Sequence, residues 1–205
     1  MDQPDDTSSS RSPLLSLPPE LREQIFEFAL TSPKPLVAFR LDAYQRDTYT
    51  EATQPPLTLL SRQIRHETLS LFYRLNTFIL HTDGSKLEDT RSWLRCIESH
   101  IPKLHRLDIW VRYVTVVGTR SLASGAISLA LWRGVKKDEG WKVDRTWRWV
   151  TVTRLPYGWD SDGRLLVGML GWMLKSGGRY HLRSAEGVGE VLVDLRMGYA
   201  KEKIL

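Results

Sequence analysis

The feature that most constrains the fold is a change in hydrophobic periodicity along the chain. Residues 17–30 and 57–75 place their apolar side chains at helical spacing, so each segment predicts an amphipathic helix. In residues 107–113, by contrast, apolar and polar residues alternate, which is typical of a strand with one buried face. All eight tryptophans lie at or after position 93. The sequence therefore predicts an α+β protein, in which an N-terminal helical module leads into a mixed sheet with packed helices.

The chain is predicted to have three parts. Residues 1–13 are rich in Asp, Pro and Ser and have no aliphatic residue after Met1, so they are predicted to form a disordered tail. Residues 14–80 form the helical module, and residues 81–205 form the α+β C-terminal part. With 205 residues, of which 41% are hydrophobic, the chain is large enough to bury a core without disulfides.

Shorter patterns locate the remaining elements. A third helix is predicted from Ser85 to about residue 99, because Ser85 and Glu88 have the spacing of a capping box. The apolar segment 165–174 predicts a helix that is buried on nearly every side. Strands are predicted at residues 36–39, 76–80, 126–132, 147–155 and 191–195, with a charged loop at residues 133–146.

The sequence carries neither a secretory signal nor a membrane span. Its N-terminus lacks the basic start and apolar stretch of a signal peptide. The densest apolar run, residues 165–174, is too short to cross a bilayer. We therefore expect a protein of the cytoplasm or the nucleus that has no membrane partner.

Residues suited to catalysis or metal binding do not form a recognisable set. Cys96, His100 and His105 are spaced like metal ligands, but a fourth ligand is missing and the spacing is not that of a zinc finger. The segment Gly84-Ser85-Lys86 matches only a fragment of a phosphate-binding loop, and we interpret it as a turn. The sequence thus predicts no metal, no cofactor, no catalytic residue and no enzymatic activity.

One segment alternates arginine and tryptophan. Trp147, Arg148 and Trp149, with Arg154 further on, have side chains that can stack on bases and pair with phosphates. In a strand, however, Trp147 and Trp149 share one face while Arg148 lies on the other, so the tryptophans can equally belong to the core. The net charge of +5 indicates nucleic-acid binding only if the cationic side chains lie on one face of the protein. Nucleic-acid binding is therefore the alternative function.

Two motifs in the helical module carry a family resemblance. The segment Leu17-Pro18-Pro19-Glu20-Leu21, with Ile25-Phe26 behind it, resembles the opening of an F-box. Residues 57–67 resemble the second half of the same domain. The following Phe72-Tyr73-x-x-Asn76-x-Phe78 is similar to a segment of the F-box-like proteins expanded in filamentous fungi. The resemblance covers about residues 14–113.

The resemblance implies a non-catalytic protein-interaction adaptor, which acts as an F-box-type substrate receptor of a ubiquitin ligase. Its partners would be the Skp1 adaptor and an unidentified protein client. The positions that match the binding motif are Leu17, Pro18, Leu21, Ile25 and Phe26. The alternative is that these apolar side chains, Leu21 and Ile25 among them, belong to the protein's own core.

Overall fold

A computed structural model of the chain describes residues 12–113, 125–134, 140–150 and 158–204. In these ranges the chain forms five α-helices and one six-stranded sheet, which confirms the predicted α+β class. The helices are α1 (Pro19–Leu30), α2 (Arg62–Leu75), α3 (Gly84–Cys96), α4 (Trp159–Ser176) and α5 (Ala185–Ile204). The strands are β1 (Leu36–Val37), β2 (Thr50–Glu51), β3 (Thr77–His81), β4 (Arg106–Arg112), β5 (Ala126–Arg133) and β6 (Trp141–Val150).

The strand order of the sheet is β2-β1-β3-β4-β5-β6. The first four strands are parallel, and β5 and β6 continue the sheet in antiparallel pairs. Parallel strands need crossover connections, and two of these contain helices: α2 lies between β2 and β3 in the chain, and α3 lies between β3 and β4. The sheet therefore runs through both of the predicted parts that meet at residue 80.

One face of the sheet carries the main core. Strand residues such as Phe78, Leu107 and Ile109 pack there in one cluster with residues from all five helices. Buried helix residues of this cluster include Phe26 of α1, Phe72 of α2, Leu94 of α3, Leu170 of α4 and Leu192 of α5. All five helices thus contribute to the hydrophobic layer on this side of the sheet.

The other face of the sheet carries a smaller cluster. It consists of Val37, Ile79, Trp110 and Ala126 from the strands, with Phe39 and Leu41 from the segment that follows β1. Because this segment covers Trp110, β4 is buried on both faces from Leu107 to Val111. The strand itself forms, but the prediction that only one of its faces is buried is wrong. The alternating pattern cannot show that a connecting segment lies over the face that carries the polar residues.

Several boundaries in the C-terminal part differ from the predicted ones. The predicted strand 191–195 is wrong because these residues lie within α5, where Val188, Leu192 and Leu195 are buried at helical spacing. The predicted loop 133–146 is wrong because β6 begins at Trp141, and residues 151–155 of the predicted strand lie outside the described residues.

The helix predicted at residues 165–174 forms as the longer α4. Leu166 and Leu170 are fully buried, whereas the Trp172 side chain is 62% exposed. Burial on nearly every side is therefore wrong, and α4 is an amphipathic helix. None of the described helices combines the length and the apolar character needed to cross a membrane.

The N-terminal region is described only from Ser12 onward, so residues 1–11 of the predicted disordered tail lie outside the described residues. Pro13 begins a 3₁₀ turn that extends to Ser16. Another 3₁₀ turn, Pro56–Leu59, precedes α2, so the regular helix there begins later than the predicted residue 57.

Candidate functional site

The orientation of α1 is fixed by an ion pair near its N-terminus. The Arg22 guanidinium donates from Nε to Glu67 Oε2 at 3.0 Å and from Nη2 to Oε1 at 2.8 Å, while Nη1 donates to the Leu17 carbonyl at 2.7 Å. Such a fork defines the angle between two elements more tightly than a single contact does. The hydrogen bond from Arg22 also lowers the pKa of Glu67, so the carboxylate stays charged.

The C-terminal ends of α1 and α2 are joined by Asn76, which is buried. Its side-chain amide donates to the carbonyls of Leu30 and Phe72, each at 2.9 Å. Its side-chain oxygen accepts the backbone N–H of Ser32 at 2.7 Å. One amide thus satisfies polar groups at two helix ends, which gives the Asn of the Phe-Tyr-x-x-Asn motif a structural role.

These contacts determine which side of α1 faces the core. Arg22, Phe26 and Leu30 recur every four residues and form the buried side. The apolar residues Leu21, Ile25 and Phe28 lie on the other side, where they are 46%, 44% and 91% exposed. We call Leu21, Ile25 and Phe28 the α1 apolar face. An apolar stripe at i, i+4 and i+7 is thus turned toward solvent.

The structure separates the residues that the F-box resemblance marks for partner binding. Leu21 and Ile25 are accessible, Pro18 is exposed and Leu17 is half-buried. Phe26 is 1% exposed and belongs to the main core. Phe28 is absent from the set predicted to bind the partner, yet it is the most exposed large apolar residue described on α1. Its membership of the helical stripe was the signal that could have added it.

The arginine and tryptophan residues of β6 lie on opposite sides of the sheet. Trp147 and Trp149 pack against the main core, and Gly163 of α4 lies directly against the Trp147 indole. Arg148 instead extends to the other side, where Nη2 donates to the buried Asp108 carboxylate at 3.1 Å. Arg154 lies outside the described residues. The two indoles are partly buried and serve packing against the core.

The cysteine and histidines with ligand-like spacing do not converge. Cys96 is exposed at the end of α3, and the His100 ring stacks on Tyr73 at 5.0 Å between centroids. Burial lowers the pKa of His100 and of His105, so both rings are held mainly neutral at pH 7. Across the described parts of the chain, no three His, Cys, Asp or Glu side chains are grouped so that they could hold a metal ion.

A cavity of about 470 Å³ lies where β3 and β4 end, on the face with the smaller core cluster. Its walls come from five separate stretches. They lie within residues 42–49 before β2, within 81–86 at the end of β3 and the start of α3, within 110–112 at the end of β4, at 125–126 at the start of β5, and at Val150 at the end of β6. The sequence patterns did not predict this cavity, because Gly84-Ser85-Lys86 indicated only a turn. The available signal was that Gly84-Ser85-Lys86 follows a predicted strand and precedes a predicted helix.

A comparison of the chain with models of protein families found no match, and comparisons with curated proteins and with solved structures found none either.

Proposed function

We propose that the protein is a non-catalytic interaction adaptor whose α1 apolar face binds a Skp1-type adaptor protein, as in an F-box substrate receptor of a ubiquitin ligase. The observation that carries the proposal is the exposure of Leu21, Ile25 and Phe28 together on one side of α1. Two of these positions match the F-box motif. Contiguous exposed apolar side chains are a common property of protein-binding surfaces.

The spacing of the α1 apolar face supports binding as a helix in a groove. Anchors at i, i+4 and i+7 project from one side of a helix and insert into an apolar groove of a partner. Two further large apolar residues, Leu59 and Leu60, are exposed in and after the turn that precedes α2. The Arg22–Glu67 pair and Asn76 hold α1 against α2, so little conformational entropy is lost when the anchors bind.

An adaptor also needs a surface for its client. Between α4 and α5 lies an open groove of about 800 Å³, and at its margin Trp172 and Met197 are exposed. Tryptophan and methionine are both enriched in protein interfaces. We assign client binding to this groove, on elements separate from the α1 apolar face.

The test is a paired substitution on the α1 apolar face. Leu21→Ala combined with Ile25→Ala removes two half-exposed anchors, and the loss of anchors of this kind weakens binding by about 2 kcal/mol or more, roughly 30-fold. The matched control combines Trp172→Ala with Met197→Ala, which removes exposed apolar side chains from α4 and α5 instead. Calorimetric titration with recombinant Skp1 measures both variants.

We expect the α1 variant to lose Skp1 affinity and the control to keep it, with the melting curve of each variant close to that of the wild type. If the α1 variant binds Skp1 as tightly as the wild type, the proposed face is wrong. If the control loses as much affinity as the α1 variant, the loss is not specific to α1 and the proposal fails.

The alternative function, nucleic-acid binding through Trp147, Arg148, Trp149 and Arg154, stays a prediction. The packing of Trp147 and Trp149 against the core gives it less support than the α1 apolar face gives the adaptor.

A further inference from the structure

The cavity at the ends of β3 and β4 has an aromatic wall. Trp110 lines it from β4, and the Tyr49 ring meets the Trp110 ring edge-on with 4.9 Å between centroids. Phe39 lies behind them, at 5.8 Å from Trp110 and 5.4 Å from His81. The volume of about 470 Å³ is within the range of small-molecule sites in proteins and exceeds what a single inorganic anion fills.

Cationic side chains converge on the same cavity. Lys86 lines it, with Nζ 2.6 Å from the Asp42 carboxylate, and Arg112 lines it, with Nη1 3.2 Å from the Asp83 carboxylate. These carboxylates hold the cations in place without exhausting them, because an ammonium has three N–H donors and a guanidinium has five. Arg196 of α5 approaches Asp83 as well, at 3.6 Å, so three cations surround two carboxylates.

His81 adds a neutral donor to the lining. Its Nδ1 accepts the backbone N–H of Asp83 at 3.2 Å, which leaves the ring proton of the neutral form on Nε2. Burial, reinforced by the nearby Lys86 charge, lowers the pKa of His81 from 6.5 to about 4. At neutral pH the ring is therefore an uncharged hydrogen-bond donor in the cavity wall.

The first turn of α3 completes the lining with Gly84, Ser85 and Lys86. The Asp83 side chain at the N-cap position accepts no hydrogen bond from this turn. Backbone N–H groups of this turn, whose residues line the cavity, therefore remain as donors. The helix end only adds to a site that the cations and the aromatic wall already define.

We propose that this cavity binds a small organic anion with a planar ring, of the nucleoside monophosphate class. The anionic group lies between Lys86, Arg112 and the first turn of α3, and the ring lies against the partly exposed Tyr49, which packs edge-on on the buried Trp110. Cations together with amide donors recognise phosphate, while aromatic faces recognise a base. The site is separate from α1, so it stands or fails independently of the adaptor function.

The test uses Ser85, which lines the cavity and is exposed. Ser85→Asp introduces a negative charge beside the proposed anion. Ser85→Asn is the matched control, because asparagine has nearly the size of aspartate but carries no charge. A carboxylate in the first turn of a helix is favourable for the helix itself, so both variants are expected to fold. Calorimetric titration with adenosine monophosphate, adenosine and inorganic phosphate then measures binding to the wild type and to both variants, with a melting curve for each.

We expect adenosine monophosphate to bind the wild type at least 10-fold more tightly than either adenosine or phosphate. Ser85→Asp should weaken this binding by 10-fold or more, and Ser85→Asn by less than about 3-fold. If adenosine monophosphate does not bind at millimolar concentration, or if phosphate alone binds equally well, the proposal is overturned. Equal binding by the Asp and Asn variants would overturn the placement of the anion.

Discussion

Phe26 and Phe28 lie two positions apart on α1 and provide the sharpest test of its orientation. Phe26 is 1% exposed and packs in the main core, whereas Phe28 is 91% exposed. Removing the buried ring loses its transfer free energy, about 1.5–3 kcal/mol, and leaves a cavity that close-packed neighbours fill only partly. Phe26→Ala should therefore destabilise the protein by about 3–5 kcal/mol. Phe28→Ala should change stability by no more than about 0.5 kcal/mol.

The assay is thermal unfolding of the two variants beside the wild type. For a domain of this size, 1 kcal/mol corresponds to a shift of about 2–4 °C, so Phe26→Ala should lower the melting temperature by roughly 6–20 °C. Phe28→Ala should leave the melting temperature almost unchanged. Because both variants replace the same side chain on the same helix, differences in helix propensity cancel. Equal destabilisation by the two substitutions would refute the orientation of α1 and with it the exposed apolar face.

Two further predictions concern the interior. Because the pKa of His81 is lowered to about 4, the folded state disfavours protonation of the ring, so its contribution to stability is complete above about pH 6.5 and is lost as the pH falls toward 4, by about 3 kcal/mol in all. Denaturant unfolding between pH 7 and 4.5 should therefore show a weaker pH dependence for His81→Asn than for the wild type. Identical pH dependence of the two proteins would contradict the lowered pKa. Gly163→Ala should destabilise the protein by about 1–3 kcal/mol because the added methyl group would overlap the Trp147 indole. Gly168→Ala on the same helix, where open space surrounds the added methyl group, should stabilise the protein by about 0.5–1 kcal/mol. Urea unfolding measures both changes in the free energy of unfolding, and the same sign for both would show that the packing of β6 on α4 is wrong.

Local sequence patterns predict the elements that depend on local chemistry. The helical spacing in residues 17–30 identifies α1 because Pro18 and Pro19 mark its start and the polar, proline-containing segment after Leu30 its end. The alternating residues 107–113 identify β4 for the same kind of reason. The prediction of a strand at residues 191–195 is wrong because Val191 and Val193 favour strands intrinsically, whereas in the folded chain their segment packs against the core as part of α5.

Features that depend on distant residues were not accessible in this way. Periodicity finds the apolar stripe of α1, but which side of α1 is buried depends on Arg22 reaching Glu67, 45 residues away. The cavity includes residues near positions 42–49, 81–86 and 110–112, which come together because β1 and β4 both pair with β3. Neither arrangement leaves a signal within one stretch of sequence.

The central claim is that the exposed side of α1 is a binding surface for a Skp1-type adaptor, and the most direct measurement is the affinity of the wild-type protein for recombinant Skp1. Since Leu21, Ile25 and Phe28 are available as anchors on a helix that is already ordered, we predict a dissociation constant of about 1 μM or below by calorimetric titration. The absence of binding at about 100 μM, with the protein folded, would contradict it and leave the α1 apolar face without the proposed partner.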